Sequence, residues 1–225
     1  MSESRTEGSV PDRERPGIAE STLRRAGWAV LVSLLGLGLS WTFGILFLTN
    51  GGVYAPLSDI SSLIYRLPLV LVAWVLYLVY RSGSPGASGA VLAVGLLGVT
   101  VSVVSGLGLA VTDLGVPTGM AGASLAGQRI GGLVTGLWLL GVSGQELRHA
   151  VFPRRVAVAG IVAGSGMVLL QSSLLIGGVS HPGFGIGSIV QLLGTVCWSV
   201  WIGRRLLAGR VRADTDPRRA VLPTR

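Results

Sequence analysis

The chain has no lysine, one cysteine, two histidines and only 10 acidic residues among 225. Without lysine there is no P-loop of the Gly-x-x-x-x-Gly-Lys type to cradle a nucleotide's phosphates. The lone Cys197 makes no intramolecular disulfide and no Cys-x-x-Cys pair. There is no His-Glu-x-x-His run, the usual signature of a helix-borne zinc site. Charged residues are 12% of the chain, roughly half of the ~25% carried by soluble domains. Together these scarcities exclude an ordinary soluble enzyme, a disulfide-rich secreted domain and a disordered chain.

What is present is apolar. Hydrophobic residues are 50% of the chain, glycine numbers 35, and the mean hydropathy is +0.67. Six apolar stretches at about 27–49, 63–80, 89–112, 130–146, 156–177 and 187–203 are near the ~20 residues a helix needs to cross a bilayer. They do not alternate with period two, so helices are expected rather than a barrel. The expected fold class is all-α: a polytopic membrane protein with six transmembrane helices arranged as three hairpins. The expected organisation is a disordered cytoplasmic tail over 1–26, a transmembrane domain over 27–206 and a basic cytoplasmic tail over 207–225.

Net charge is +8, all of the positive charge being arginine. Its distribution argues against nucleic acid as a partner, because the arginines lie in tails and short loops rather than along one face of a folded domain. Sixteen of the 18 arginines fall on one side of a six-span chain; only Arg66 and Arg129 fall on the other. The positive-inside rule then places both termini in the cytoplasm and the protein in the inner (plasma) membrane. The run from Arg204 to Arg225 suits anionic lipid head groups. Trp28, Trp74, Trp138, Trp198 and Trp201 lie toward the same side, as a one-sided aromatic belt would.

Spacing suggests a threefold internal repeat of 62–64 residues. Gly36, Gly98 and Gly160 recur at 62, as do Ser40, Ser102 and Gly164. Gly52, Gly115 and Gly178 recur at 63, Arg66 pairs with Arg129, and Gln128 with Gln191. Trp74, Trp138 and Trp201 follow the same step. Gly36, Ser40 and Gly44 share one helix face, as do Gly98, Ser102 and Gly106, and Gly160 and Gly164. Such small-xxx-small faces admit close backbone approach. They predict either an inner layer made by spans one, three and five, or an interface with a second copy or another membrane partner.

Chemistry-bearing residues are few. Gly141-Val142-Ser143-Gly144 in the fourth stretch resembles the nucleophile motif of rhomboid-type intramembrane serine proteases. The sixth stretch has no histidine, and His181 falls at the opposite membrane side, so no base reaches Ser143. Glu146 and His149, at i and i+3, can share a metal only with further ligands that the chain lacks; the expected reading is a helix end, with Glu146 and Arg148 solvated at the interface. No metal or cofactor is expected. Gln171, Ser172 and Ser173, Thr195, and Thr42 are polar groups within apolar runs, suited to bonds between helices. Arg66 and Arg129 are the candidate ligand-binding residues, with Gln128 and Gln191 beside them. Both arginines are expected three to four residues inside the outer ends of their spans, where Asp59 and Asp113 are available as partners. An arginine that shallow can also extend to the head groups. The expected role is non-enzymatic, binding or accessory; the alternative is a transporter or channel for small solutes, anions included, with the two arginines at its outer vestibule.

Overall fold

The computed structural model describes residues 18–52, 54–116 and 119–209; both expected tails, apart from the residues adjoining the helices, lie outside the described residues. Its elements are α1 (Glu20–Asn50), α2 (Tyr54–Tyr80), α3 (Pro85–Asp113), α4 (Ala121–His149), α5 (Arg154–Ile176) and α6 (Pro182–Leu207), with a 3-10 turn at Gly178–Ser180. All six helices are long and apolar enough to cross a membrane. Even α5, at 23 residues, spans about 34 Å at 1.5 Å per residue. Leu35, Leu107 and Ile176 are exposed on the outside, a surface that water does not tolerate and a bilayer satisfies. This is the build of a multi-pass integral membrane protein in a lipid bilayer.

The helices exceed the apolar runs in an instructive way. α2 and α4 start at Tyr54 and Ala121 rather than at 63 and 130, and α1 starts at Glu20 rather than at 27. The added turns of α2 carry Ser58, Asp59, Ser61 and Ser62; those of α4 carry Ser124, Gln128 and Arg129. These residues lower the local hydropathy. They stay helical because backbone N–H and C=O groups at this depth have no water to bond and must pair within the helix. Proline is tolerated at the first turns of α3 and α6. Pro68, inside α2, removes the N–H that would pair with the Ile64 carbonyl.

Each helix packs antiparallel on its chain neighbour, and α6 closes back on α1, so that six helices form a ring. Short connections favour neighbour pairing. Close approaches are made through glycine: Gly36 lies on the backbone at Ile64 and Tyr65, Gly98 on that at Val134 and Thr135, and Gly194 on that at Val162 and Ala163. Across the ring closure, Gly27 meets Leu207 and Gly203 meets Val30. The odd helices α1, α3 and α5 do not pack on one another among the described residues, which overturns the expected inner layer. Ring closure flanks each odd helix with even ones, and the small faces serve those contacts: Ser102 meets Gly131, Gly106 meets Leu63, Gly160 meets Ser143 and Trp198, and Gly164 meets Gly136. Ser40 accepts at its carbonyl from Ser58 Oγ (3.2 Å), near Gly44. The register also differs between pairs. Gly36 faces Tyr65, whereas Gly98 faces Thr135, although the position 63 residues after Tyr65 is Gln128.

The ring is filled at the arginine-rich end. Val30, Val72, Leu76, Trp138, Trp198 and Ile202 are buried in one apolar cluster drawn from α1, α2, α4 and α6, with α5 adding Val156 and Ala163. The Trp138 and Trp198 rings meet edge to face, 6.3 Å between centroids, each lying over a glycine, Gly95 and Gly160 respectively. These two tryptophans are therefore core and not belt; Trp28 and Trp74 do face outward. The ring needs a partner with no Cβ, which is why glycine repeats and tryptophan positions coincide here.

A close backbone approach makes a quantitative forecast. Gly36→Ala drives a Cβ into the α2 backbone and should cost about 1–3 kcal/mol in reversible unfolding in detergent. Gly38→Ala, one turn of the ring away from any neighbour, meets open space and should be neutral or stabilising by up to about 1 kcal/mol. Equal losses at the two positions would contradict this packing.

Candidate functional site: a polar cavity between the helices

At the end away from the arginine-rich termini the helices border a cavity of about 470 Å³. α1 contributes Leu37, Trp41 and Leu48, and α2 contributes Asp59, Tyr65 and Arg66. From α4 come Gln128 and Arg129, from α5 Gln171 and Leu174, and from α6 Phe184, Ser188 and Gln191. All four residues singled out from the sequence, Arg66, Arg129, Gln128 and Gln191, stand in this one lining. Leu37, Tyr65, Leu69 and Val99 form a small apolar cluster beneath it. The larger core then seals the ring toward the arginine-rich end, so the cavity is blind.

The arginines lie deeper than the apolar runs imply. Arg66 is near the middle of the 27-residue α2, about 18 Å from its start, and Arg129 is about 12 Å into α4. Neither reaches outward to head groups. Arg66 Nη1 donates to the Ser102 carbonyl of α3 at 3.2 Å, and Arg129 Nη1 donates to the Leu174 carbonyl of α5 at 2.8 Å. Each arginine thus ties an even helix to the following odd one and keeps further N–H donors. Arg129 Nε and Gln191 Oε1 are buried with no protein partner. Gln191 is only 6% exposed. Buried polar atoms without partners cost about 1–3 kcal/mol each, so two in one lining mark a place where a further polar group is wanted.

The expected carboxylate partners are not engaged. Among the described residues the one ion pair is Arg24 with Glu20, at 2.9 Å. Asp59 is within electrostatic reach of both Arg66 and Asp113, and forms an ion pair with neither arginine. Two of the other polar groups do not bridge helices as expected: Ser173 and Thr42 donate to the carbonyl four residues earlier in their own helices, at 2.7 and 2.9 Å. His181 caps α6 by accepting from Gly183 N–H at 3.1 Å.

A second polar cluster lies near the arginine-rich end. Glu146, expected at a solvated helix end, is 3% exposed. Its carboxylate accepts from Tyr80 Oη and from Phe152 N–H, both at 2.5 Å, while its own carbonyl accepts from Ala150 N–H at 2.8 Å. Ala150 takes a left-handed conformation (φ 49°), which turns the chain sharply into α5. Glu146 therefore fastens the α4–α5 connection and α2 together. His149 meets Ser84 Oγ at 3.1 Å instead of sharing a ligand with Glu146. Ser143 Oγ is buried against Gly160, with no histidine brought to it. Among the described residues no group of three or more His, Cys, Asp or Glu converges. One sign of the Glu146 clamp is legible from residue order, an acidic residue beside an apolar run; its tyrosine partner 66 positions away is not.

Replacing Glu146 by Ala should destabilise the protein by about 1–3 kcal/mol, because it orphans a buried N–H and a buried hydroxyl. Tyr80→Phe should cost less, and the double variant should cost less than the sum of the two. A double-mutant cycle by thermal unfolding measures this; strict additivity would break the clamp.

No family model, curated protein or solved structure matches this chain, so the cavity and the fold carry the functional reading themselves.

Proposed function

We propose that the protein is a non-enzymatic membrane receptor or accessory protein that holds a small amphiphilic anion in the blind cavity. The observation that carries this reading is the pairing of two guanidinium groups, free of ion pairs, with apolar walls. Arg66 and Arg129 retain donors after their single carbonyl bonds. Around them stand Leu37, Trp41, Leu48, Leu174 and Phe184. A carboxylate or phosphate satisfies the donors with charge-assisted, forked bonds, and an apolar body fills the remainder. Gln128, Gln171 and Gln191 add amide groups that orient it.

Transport is the second reading. The outer mouth and the buried cations favour entry of an anion, but passage requires the Trp138–Trp198 core to open. An open channel is disfavoured by that plug, and alternating access is the form a transport role takes here.

Orientation and ancestry complete the proposal. The arginine-rich end faces the cytoplasm and the anionic leaflet of the inner membrane, with both termini inside. Three hairpins, α1–α2, α3–α4 and α5–α6, descend from one unit of 62–64 residues. Supporting this, Gly52, Gly115 and Gly178, each 63 apart, all have positive φ (62°, 86° and 65°) at the outer connections. Arg66 and Arg129 make the same kind of bond to the next hairpin; Leu192 stands at the third position, with Gln191 beside it. Glycines that meet nothing within the ring, Gly89 and Gly122 among them, suit a homo-oligomer or a membrane partner.

Two measurements test this. Titration of the purified protein with decanoate and with decanol should show the carboxylate binding about tenfold or more tightly, and Arg66→Gln or Arg129→Gln should each remove about tenfold, near 1.4 kcal/mol. Indistinguishable binding of acid and alcohol would sink the anion reading. A reporter active only in the periplasm, fused after Arg225, should be silent; activity there would reverse the topology.

A further inference from the structure

The arginine-rich end carries a groove unconnected with the cavity. It lies between α5 and α6, has a volume of about 630 Å³, and is lined by Pro153, Arg155, Trp201, Arg204 and Arg205 together with apolar side chains. Among the described residues its lining has three guanidinium groups and no acidic residue. Arg155 and Arg204 are exposed and Arg205 is half-buried. The only ion pair among the described residues, Arg24 with Glu20, involves none of them. Arg155 is held with its guanidinium 5.5 Å from the centroid of the Trp201 ring. That contact fixes one cation at the wall of the groove and lessens the ordering cost of using it.

We infer that this groove binds the phosphodiester head group of one anionic phospholipid. Topology alone explains why arginines lie at this end. It does not explain why three of them border one concavity without a counter-charge, or why one is stacked on an indole. Guanidinium groups recognise phosphate oxygens with forked hydrogen bonds, and an indole at the wall suits the head-group level, where one face is apolar and the rim is wet. Basic recesses between transmembrane helices on the cytoplasmic side are suited to this ligand. The exposed outer faces of α5 and α6, with Val158 and Val162 among them, offer a surface for the acyl chains. Ser, Thr or backbone donors are not required, because three cations exceed the charge of one phosphodiester. This site rests on the reading that the arginine-rich end lies at a membrane surface, and it is independent of the ligand of the outer cavity.

The test uses the full-length protein in neutral detergent, with bound lipid counted by native mass spectrometry and stability followed by thermal unfolding. Phosphatidylglycerol should bind as one retained molecule and raise the unfolding temperature; phosphatidylcholine should bind about tenfold more weakly. Arg155→Gln and Arg204→Gln, both at exposed positions that folding does not depend on, should each weaken phosphatidylglycerol by about fivefold. Arg81→Gln, at the end of α2 on the far side of the ring, should change it by less than about twofold. An equal loss with Arg81→Gln would reduce the groove to diffuse charge and overturn the site. Displacement of the lipid by excess inorganic phosphate would assign the groove to a soluble phosphate and overturn the lipid. Because binding is read in micelles, an active C-terminal reporter would reverse the membrane orientation without touching this result, and the two failures are distinguishable.

Discussion

Two guanidinium groups are held between helices by backbone carbonyls, at a depth where a bilayer supplies no water. An arginine near the centre of a membrane helix costs about 2.5–3.5 kcal/mol on insertion scales. Here each recovers part of that cost from one carbonyl, Ser102 O for Arg66 and Leu174 O for Arg129, using a lone pair left over after the helical bond. The remaining donors need a polar space. The cavity is that space, and the polar turns of α2 and α4 face it rather than lipid.

A ring with a polar opening at one end has to be secured at the other. The arginine-rich half does this with an apolar cluster and with glycines that let backbones touch. Trp138 and Trp198 sit over Gly95 and Gly160, filling volume that aliphatic side chains would leave unevenly packed. Glu146 adds a polar clasp, tying α2 to the turn between α4 and α5. The fold is thus divided along its axis: one half is filled by packed side chains and the other holds the polar cavity.

Much of this was legible in the sequence, and the failures share a cause. The six helices and the four cavity residues Arg66, Arg129, Gln128 and Gln191 could be read from apolar runs and from charge set within them. The starts of α2 and α4 could not, because hydropathy treats Ser58, Asp59 and Gln128 as loop-like when they are helical and inward-facing. That error made the arginines look shallow and the head-group reading look strong. Glu146 was misplaced for the same reason: a carboxylate beside a span reads as solvated unless its partners, Tyr80 and the Phe152 N–H, are known. Which glycine meets which helix depends on ring closure by α6 on α1, a long-range fact that no spacing encodes. Repeat spacing did mark the left-handed glycines at 52, 115 and 178, yet equal spacing put Trp74 on the surface and Trp138 in the core.

Arg66 and Arg129 line a cavity at the end away from the termini, and the Trp138–Trp198 core fills the ring at the other end. The most direct test of this arrangement is thiol labelling of Gln128→Cys in a Cys197→Ser background, in sealed vesicles of known orientation. A membrane-impermeant anionic thiol reagent should modify position 128 from the side opposite the termini, about tenfold faster than a cationic reagent of equal size. Ile202→Cys, in the apolar plug, should react with neither from either side. Labelling of position 128 from the side of the termini, or a preference for the cationic reagent, would contradict the account.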